Sequence, residues 1–184
     1  IQIRSSQPRA IGWLAALICY PPFWNGVSDS VFRYNPDGRE WGVFLRPLPV
    51  IPYVWAAAIL ILSAIYVAST VQFGMRFSNL TNRGIITNGP YRWCKHPAYL
   101  AKNITWWMLA MPFLYHTGYL ESLRACLLLL ALNGVYFLRA KTEEWHLSEE
   151  PAYRDYLAFM KNHGLMAALL RRSGLRRPAR SATG

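Results

Sequence analysis

The chain has 184 residues, of which 53% are hydrophobic and only 16% are charged. That length fits a single domain, and the low charged fraction is unusual for a soluble one. The formal net charge is +11, but the sequence has no nucleic-acid motif and no interleaved stacking platform, so we expect no nucleic-acid partner. We recognise no cleavable signal peptide.

Four apolar runs follow along the chain, and they predict an all-α integral membrane bundle of about four transmembrane helices. The first run, residues 11–24, is short, so an interfacial or re-entrant piece is its alternative. The second, residues 50–73, carries no charge and is long enough to span a hydrocarbon core of roughly 30 Å. The third, 104–115, and the fourth, 125–138, reach spanning length when the few residues before each are included. A buried helix of a soluble core would explain one such run, but not four.

Basic residues lie mostly on one predicted side of this bundle. They precede the first run, separate the second from the third, and follow the fourth, where the tail contains RRSGLRRPAR. The opposite side has Arg33, Arg39 and Arg46, which three acidic residues balance. This positive-inside pattern predicts that both termini are cytoplasmic, in a bacterial inner membrane or the endoplasmic reticulum. The basic tail is interpreted as a topology signal that contacts anionic membrane lipids.

A polar stretch, GIITNGPYRWCKHPAYLAKN (residues 84–103), separates the second run from the third. Gly89-Pro90 predicts a turn, and His96-Pro97 predicts the start of the third helix, because proline is favoured in a first helical turn. The free N–H groups of such a helix end can hold a carboxylate or a phosphate. The alternative is a proline-initiated helix with a snorkelling lysine and an aromatic belt.

A second polar stretch, FLRAKTEEWHLSEEPAYRDYLAFM, follows the fourth run. Arg139 and Glu143 are four residues apart and therefore share a helix face, and Glu144 follows. A surface salt bridge is the alternative interpretation, but an arginine and two glutamates at a membrane exit are costly unless they are paired or used. If the third and fourth helices are antiparallel, the two polar stretches meet in a cytoplasmic pocket. A cytoplasmic helix is predicted beyond it, with an apolar seam of Leu147, Tyr153, Tyr156 and Leu157.

The three cysteines, Cys19, Cys94 and Cys126, are unevenly spaced and do not predict a disulfide framework. Cys94 and His96 supply only two metal ligands, whereas a site needs three or four. We therefore expect no metal.

The two polar stretches together resemble the isoprenylcysteine carboxyl methyltransferase and phospholipid methyltransferase superfamily of integral membrane enzymes. Its members share an Arg-His-Pro-x-Tyr motif before one helix and a Glu-Glu-x-x-Leu…Tyr-x-x-Tyr motif after the next. The resemblance covers roughly residues 70–160, and the pair of motifs is more specific than either alone. Lys95 stands where arginine is usual, Ala101 where glycine is common, and Glu150-Pro151 where a glycine is frequent, so the subfamily is less well defined than the superfamily.

The resemblance implies that the chain binds S-adenosylmethionine as its cofactor. The residues it assigns to that cofactor are Arg83, Gly84, Ile85, Ile86, Tyr91, His96, Pro97, Ala98, Tyr99 and Glu143. Arg139 would face the acceptor, and an amine acceptor would have to lose a proton to Glu144 or to water. Arg139 and Glu144 are therefore the predicted catalytic residues.

The predicted function is methyl transfer to a lipophilic acceptor, either an isoprenylcysteine-like carboxylate or a lipid headgroup, at the cytoplasmic membrane interface. We expect one membrane domain, with an N-terminal segment and loop (1–49), a methyltransferase core (50–160) and a basic tail (161–184). One alternative is an NADPH-dependent reductase of the membrane sterol reductase type, although these proteins normally have more transmembrane helices. The other alternative is a non-catalytic membrane scaffold.

Overall fold

The computed structural model describes residues 3–20, 22–26, 30–35, 38–74, 80–114 and 118–174. Several residues used in the sequence analysis lie outside these ranges. They include residues between the first and second apolar runs, the end of the third run, and most of the basic tail: Asp29, Pro36, Asp37, Arg76, Tyr115 and residues 175–184.

The described part of the chain is mostly helical, in agreement with the predicted all-α class. Its α-helices are α1 (Ala10–Leu17), α2 (Phe23–Gly26), α3 (Trp41–Leu45), α4 (Ile51–Phe73), α5 (Pro97–Ala110), α6 (Tyr119–Leu147), α7 (Pro151–His163) and α8 (Leu165–Arg172). Short 3-10 helices cover Gly89–Arg92 and Pro112–Leu114. Two strands of two residues each, β1 (Ser5–Ser6) and β2 (Thr81–Asn82), pair in antiparallel fashion.

Among the described residues, two helices are long and apolar enough to cross a membrane. These are α4, with 23 residues, and α6, with 29 residues. Only 6% of the most apolar part of α4 is buried within the protein, as expected for a helix surrounded by lipid. Helix α5 has 14 residues and α1 has eight, so they rise only about 21 Å and 12 Å. A bundle with four complete spans therefore stays a prediction.

Helix α5 begins at Pro97, where the sequence predicted it. Proline occupies the first turn, in which its missing N–H would have no helical partner. The helix ends before Met111, which adopts a left-handed backbone conformation with φ of 42°. His96 occupies the N-cap position before Pro97, and its side chain makes no capping hydrogen bond.

Helices α5 and α6 are antiparallel, as the paired polar stretches predicted. Residues later in α5 contact residues earlier in α6. His96 contacts Glu144, Tyr99 contacts Glu143, and Lys102 contacts Tyr136. Helix α4 also packs against α5.

The N-terminal segment, residues 3–9, packs across the end of α6. Ser5 pairs with Asn82 in the two-stranded sheet, and the Ser5 hydroxyl lies 2.9 Å from Nε2 of the buried His146. The side chain of Gln7 is buried and donates a 3.0 Å hydrogen bond to the carbonyl of Thr142. Residues that precede the methyltransferase-like region therefore brace both sides of the predicted site.

Helix α7 packs through an apolar face against the chain that leads into α5. Tyr153, Tyr156 and Met160 form a buried cluster, against which Ile85, Leu147 and Leu157 pack. The predicted apolar seam is confirmed, and Ile85 joins it. This cluster holds the chain before α5 in place.

Candidate active site

A cavity of about 160 Å³ opens where the first turns of α5 meet the end of α6. Aromatic rings form much of its wall, and three cationic side chains and one carboxylate point at it. Its lining residues are Cys19, Tyr20, Tyr66, Thr70, Phe73, Tyr91, Lys95, His96, Ala98, Tyr99, Lys102, Tyr136, Arg139 and Glu143. A mixed apolar and polar lining of this kind is typical of small-molecule sites.

Glu144 contacts three basic side chains, two of which, Lys95 and His96, line the cavity. Its Oε1 lies 2.5 Å from Lys95 Nζ and 3.2 Å from His96 Nε2, and its Oε2 lies 2.9 Å from Lys141 Nζ. Both carboxylate oxygens are therefore occupied. A carboxylate held by several donors is a weak base. Glu144 is therefore better suited to holding His96 in position than to accepting a proton.

Glu143 and Tyr99 form one wall of the cavity. The Tyr99 hydroxyl donates a 3.3 Å hydrogen bond to Glu143 Oε2, which lies 4.0 Å from His96 Nδ1. The rings of His96 and Tyr99 are stacked, with centroids 5.5 Å apart and planes 7° from parallel. A carboxylate beside two aromatic faces is suited to a bound cation.

Arg139 is buried between aromatic rings. Its guanidinium carbon lies 5.2 Å from the centre of the Tyr20 ring and 5.4 Å from that of Tyr99, and Nη2 donates to the Tyr20 hydroxyl at 3.4 Å. Its Nε is buried and has no hydrogen-bond partner among the described residues. No described carboxylate lies within ion-pair distance of Arg139, which leaves its charge available to an anion in the cavity.

The turn before α5 is held by buried tyrosines. Tyr156 donates a 2.7 Å hydrogen bond to the carbonyl of Tyr91, and the Tyr91 ring packs edge-on against Phe73. Burial raises the pKa of both tyrosines above the usual range, so both keep their protons. Burial also raises the pKa of the Cys94 thiol, which disfavours the thiolate that a metal would need.

Arg83, Gly84, Ile85 and Ile86 lie on the approach to this turn and do not line the cavity. Gly84 has φ of 107°, a conformation that strongly favours glycine, and its N–H donates to Asn82 Oδ1 at 2.9 Å. The segment runs close to α7 through Ile85. Its predicted contact with the cofactor stays a prediction.

The structure brings half of the twelve predicted site residues to the cavity. Six of them line it: Tyr91, His96, Ala98, Tyr99, Arg139 and Glu143. Pro97 and Glu144 lie directly behind this wall, Pro97 as the first residue of α5 and Glu144 as the partner of His96.

The sequence analysis did not assign to the site eight of the residues that line the cavity: Cys19, Tyr20, Tyr66, Thr70, Phe73, Lys95, Lys102 and Tyr136. Tyr136 lies three residues before Arg139 and seven before Glu143, a helical spacing that would have placed it on the same face. Lys102 belongs to neither set of predicted site residues, but it lines the cavity. Cys19 and Tyr20 carry no motif, and only the packing of α1 against α6 brings them there.

Comparison with known protein families assigns this arrangement to a class of membrane methyltransferases. The model of the isoprenylcysteine carboxyl methyltransferase (ICMT) family matches residues 50–149. The chain therefore belongs to the isoprenylcysteine carboxyl methyltransferase family. Searches of curated proteins and of solved structures found no match.

Proposed function

We propose that this protein transfers the methyl group of S-adenosylmethionine to a lipophilic acceptor at the cytoplasmic face of a membrane. Methyltransferases of this family generally use that cofactor. The observation that carries the proposal is the meeting of the two motifs. His96 and Tyr99 from α5 line the same cavity as Arg139 and Glu143 from α6.

The residues present suit the charges of this cofactor. S-adenosylmethionine supplies a methyl group on a positively charged sulfur, and its methionyl part carries an ammonium and a carboxylate. The Glu143 carboxylate and the Tyr91 and Tyr99 rings suit the positive groups. The N-terminal end of α5 and His96 suit the carboxylate.

Methyl transfer is an in-line displacement, so the protein must chiefly align the donor with the acceptor and exclude water. The stacked rings of His96 and Tyr99 form a rigid wall against which the donor can be aligned. The wall is rigid because Glu144 holds His96 and Glu143 holds Tyr99. Arg139 can hold an acceptor carboxylate or phosphate with two parallel hydrogen bonds. A carboxylate acceptor needs no general base, whereas an amine acceptor would pass its proton to water, because both oxygens of Glu144, the other predicted base, are already paired with basic side chains.

The proposed arrangement in the membrane has four spans, with both termini in the cytoplasm of a bacterial cell or of a cell with an endoplasmic reticulum. The acceptor would enter sideways from the bilayer, and the polar cofactor would enter from the cytoplasm. The proposed acceptor belongs to one of three classes: isoprenylcysteine, an ethanolamine lipid or another small lipophile. The proposed functional core is residues 50–160, with the basic tail in contact with membrane lipids.

Binding and transfer assays test this function directly. Protein purified into lipid nanodiscs is titrated with radiolabelled S-adenosylmethionine and, separately, with NADPH. We expect S-adenosylmethionine to bind and its label to appear in one acceptor class. Binding of NADPH alone would favour the reductase, and binding of neither would favour a non-catalytic scaffold.

A further inference from the structure

Lys102 lies at the inner end of the cavity in an unusual setting. It is five residues beyond Pro97 in α5, so it lies about 7.5 Å further along the helix axis than the first residue. Three aromatic rings surround its ammonium: Nζ is 4.9 Å from the centres of Trp106 and Tyr136 and 5.6 Å from that of Trp24. Distances below about 6 Å allow favourable cation–π contact.

The rings also stack on one another. Trp24 and Trp106 are nearly parallel, with centroids 5.5 Å apart, and Tyr136 meets both of them edge-on. A lysine that only snorkels to the interface needs no such surroundings, because its flexible stem can follow the headgroups. Here the side chain is half-buried and fixed.

Among the described residues, one hydrogen bond from the Lys102 ammonium is seen. Lys102 Nζ donates to the Tyr136 hydroxyl at 2.9 Å, whereas an ammonium has three donors. Among the described residues, no carboxylate forms an ion pair with Lys102. In the part of the chain that the structure describes, Glu143 is the carboxylate that lines the cavity, and it accepts a hydrogen bond from Tyr99.

We propose that Lys102 is a specificity-determining residue, whose fixed ammonium binds an anionic group, a carboxylate or a phosphate, on the lipophilic acceptor. The inference rests on the proposed function, because it assigns an acceptor to the cavity. Arg139 lines the same cavity, and it too has no described carboxylate partner. An anion bound in the cavity would interact with the positive charges of both Lys102 and Arg139. Without an anion, these two charges repel each other in a region that is shielded from water.

The rings around Lys102 fix the position of the charge that would set this preference. Trp24 comes from the segment that precedes the family region, and α5 and α6 supply Trp106 and Tyr136. The ammonium is therefore held by three separate parts of the chain. A small anionic group can reach it, while the apolar remainder of the acceptor extends toward the lipid.

Amphiphile binding separates this role from a structural one. Dodecyl phosphate, dodecanoate and uncharged dodecanol are titrated into protein in zwitterionic nanodiscs, with empty nanodiscs subtracted. We expect the two anions to bind the wild type at least about tenfold more tightly than the alcohol. Lys102→Met should abolish that preference, Lys102→Arg should retain most of it, and the exposed control Lys161→Met should leave it unchanged. If Lys102→Met does not fold, Lys102→Gln serves in its place.

Two results would overturn the inference. One is an equal preference for anions in the wild type and in the uncharged Lys102 variant. The other is weaker binding of S-adenosylmethionine by that variant with an unchanged amphiphile preference, which would assign the ammonium to the cofactor carboxylate. If the wild type binds no S-adenosylmethionine at all, the proposed function fails, while the amphiphile comparison still decides the role of Lys102.

Discussion

The hydroxyl of Tyr156 donates a 2.7 Å hydrogen bond to the backbone carbonyl of Tyr91. This bond ties α7 to the turn that leads into His96. A helix outside the predicted membrane spans thereby fixes the position of a cavity residue. Tyr156 is the last tyrosine of the second methyltransferase motif, so this bond ties that motif to the turn that precedes the first one.

Tyr156→Phe removes this hydrogen bond and leaves a buried carbonyl without its partner. We expect a loss of about 1–3 kcal/mol in unfolding free energy and weaker binding of S-adenosylmethionine. Thermal unfolding in nanodiscs and a binding titration measure the two effects. Tyr119→Phe is the matched control, because that side chain is 96% exposed. Equal melting temperatures for the two variants would contradict the bracing role.

Gly12→Ala tests the packing of the N-terminal segment. A Cβ at this position would lie 2.5 Å from Cδ and Nε2 of Gln7, the buried side chain that bonds to Thr142 in α6. Overpacking of this kind typically costs about 1–3 kcal/mol, so we expect a lower melting temperature.

Gly134→Ala provides the control for the Gly12 variant. Gly134 is an exposed position within α6, and a Cβ there meets no atom within 4 Å. Alanine favours a helix over glycine by roughly 0.5–1 kcal/mol, so this variant should be neutral or slightly stabilised. If Gly12→Ala behaves in the same way, residues 3–9 do not brace α6.

His96→Ala and Glu143→Ala test the cofactor side of the cavity. Each variant removes one polar contact, and the loss of a hydrogen bond to a charged group costs about 1.5–3 kcal/mol, or roughly 10- to 150-fold in affinity. Isothermal calorimetry with S-adenosylmethionine measures that loss. His163→Ala and Glu121→Ala are controls, since His163 is exposed, the Glu121 side chain is 45% exposed, and neither residue lines the cavity. Unchanged affinity in both test variants would show that the family roles do not apply at these positions.

The membrane arrangement is tested by cysteine labelling in a background without the three native cysteines. In the four-span arrangement, exposed positions 39 and 173 lie on opposite sides of the membrane. We therefore expect a membrane-impermeant reagent to label Arg39→Cys and Ser173→Cys from opposite sides. Labelling from the same side would contradict four spans, because two spans formed by α4 and α6 alone return the chain to its starting side.

The local sequence predicted the helices well where it carried a strong physical signal. The uncharged run at 50–73 became α4 with a shift of one residue at its start, and Pro97 marked the beginning of α5. Helix α6 begins at Tyr119 and ends at Leu147, further out than the apolar run at 125–138. Polar and aromatic residues extend this helix beyond the part that hydropathy can detect.

Most contacts between distant parts of the chain could not be predicted from the sequence. Strands of two residues have no alternating pattern, so the pairing of Ser5 with Asn82 could not be predicted. Tyr20 reaches the cavity only because α1 packs against α6. The paired motifs did predict that the α5 and α6 residues would meet, since antiparallel neighbours bring the start of one helix beside the end of the next.

Arg139→Lys separates two roles for the arginine at the cavity. An arginine near the end of a membrane helix is expected as an interfacial anchor, and such an anchor needs only a positive charge. An acceptor clamp needs the planar fork of the guanidinium, which lysine cannot reproduce. Arg139 is buried against Tyr20 and Tyr99 and has an Nε without a described partner, which favours the clamp.

We therefore expect Arg139→Lys to bind S-adenosylmethionine with nearly wild-type affinity but to turn over about tenfold more slowly or worse, a transition-state loss of at least about 1.4 kcal/mol. Single-turnover and steady-state kinetics at saturating cofactor, with the acceptor found in the transfer assay, measure this loss. Arg124→Lys is the matched control, because Arg124 lies on the same helix with an exposed side chain. Turnover of Arg139→Lys within about twofold of wild type would instead favour the anchor, since a twofold change corresponds to only about 0.4 kcal/mol.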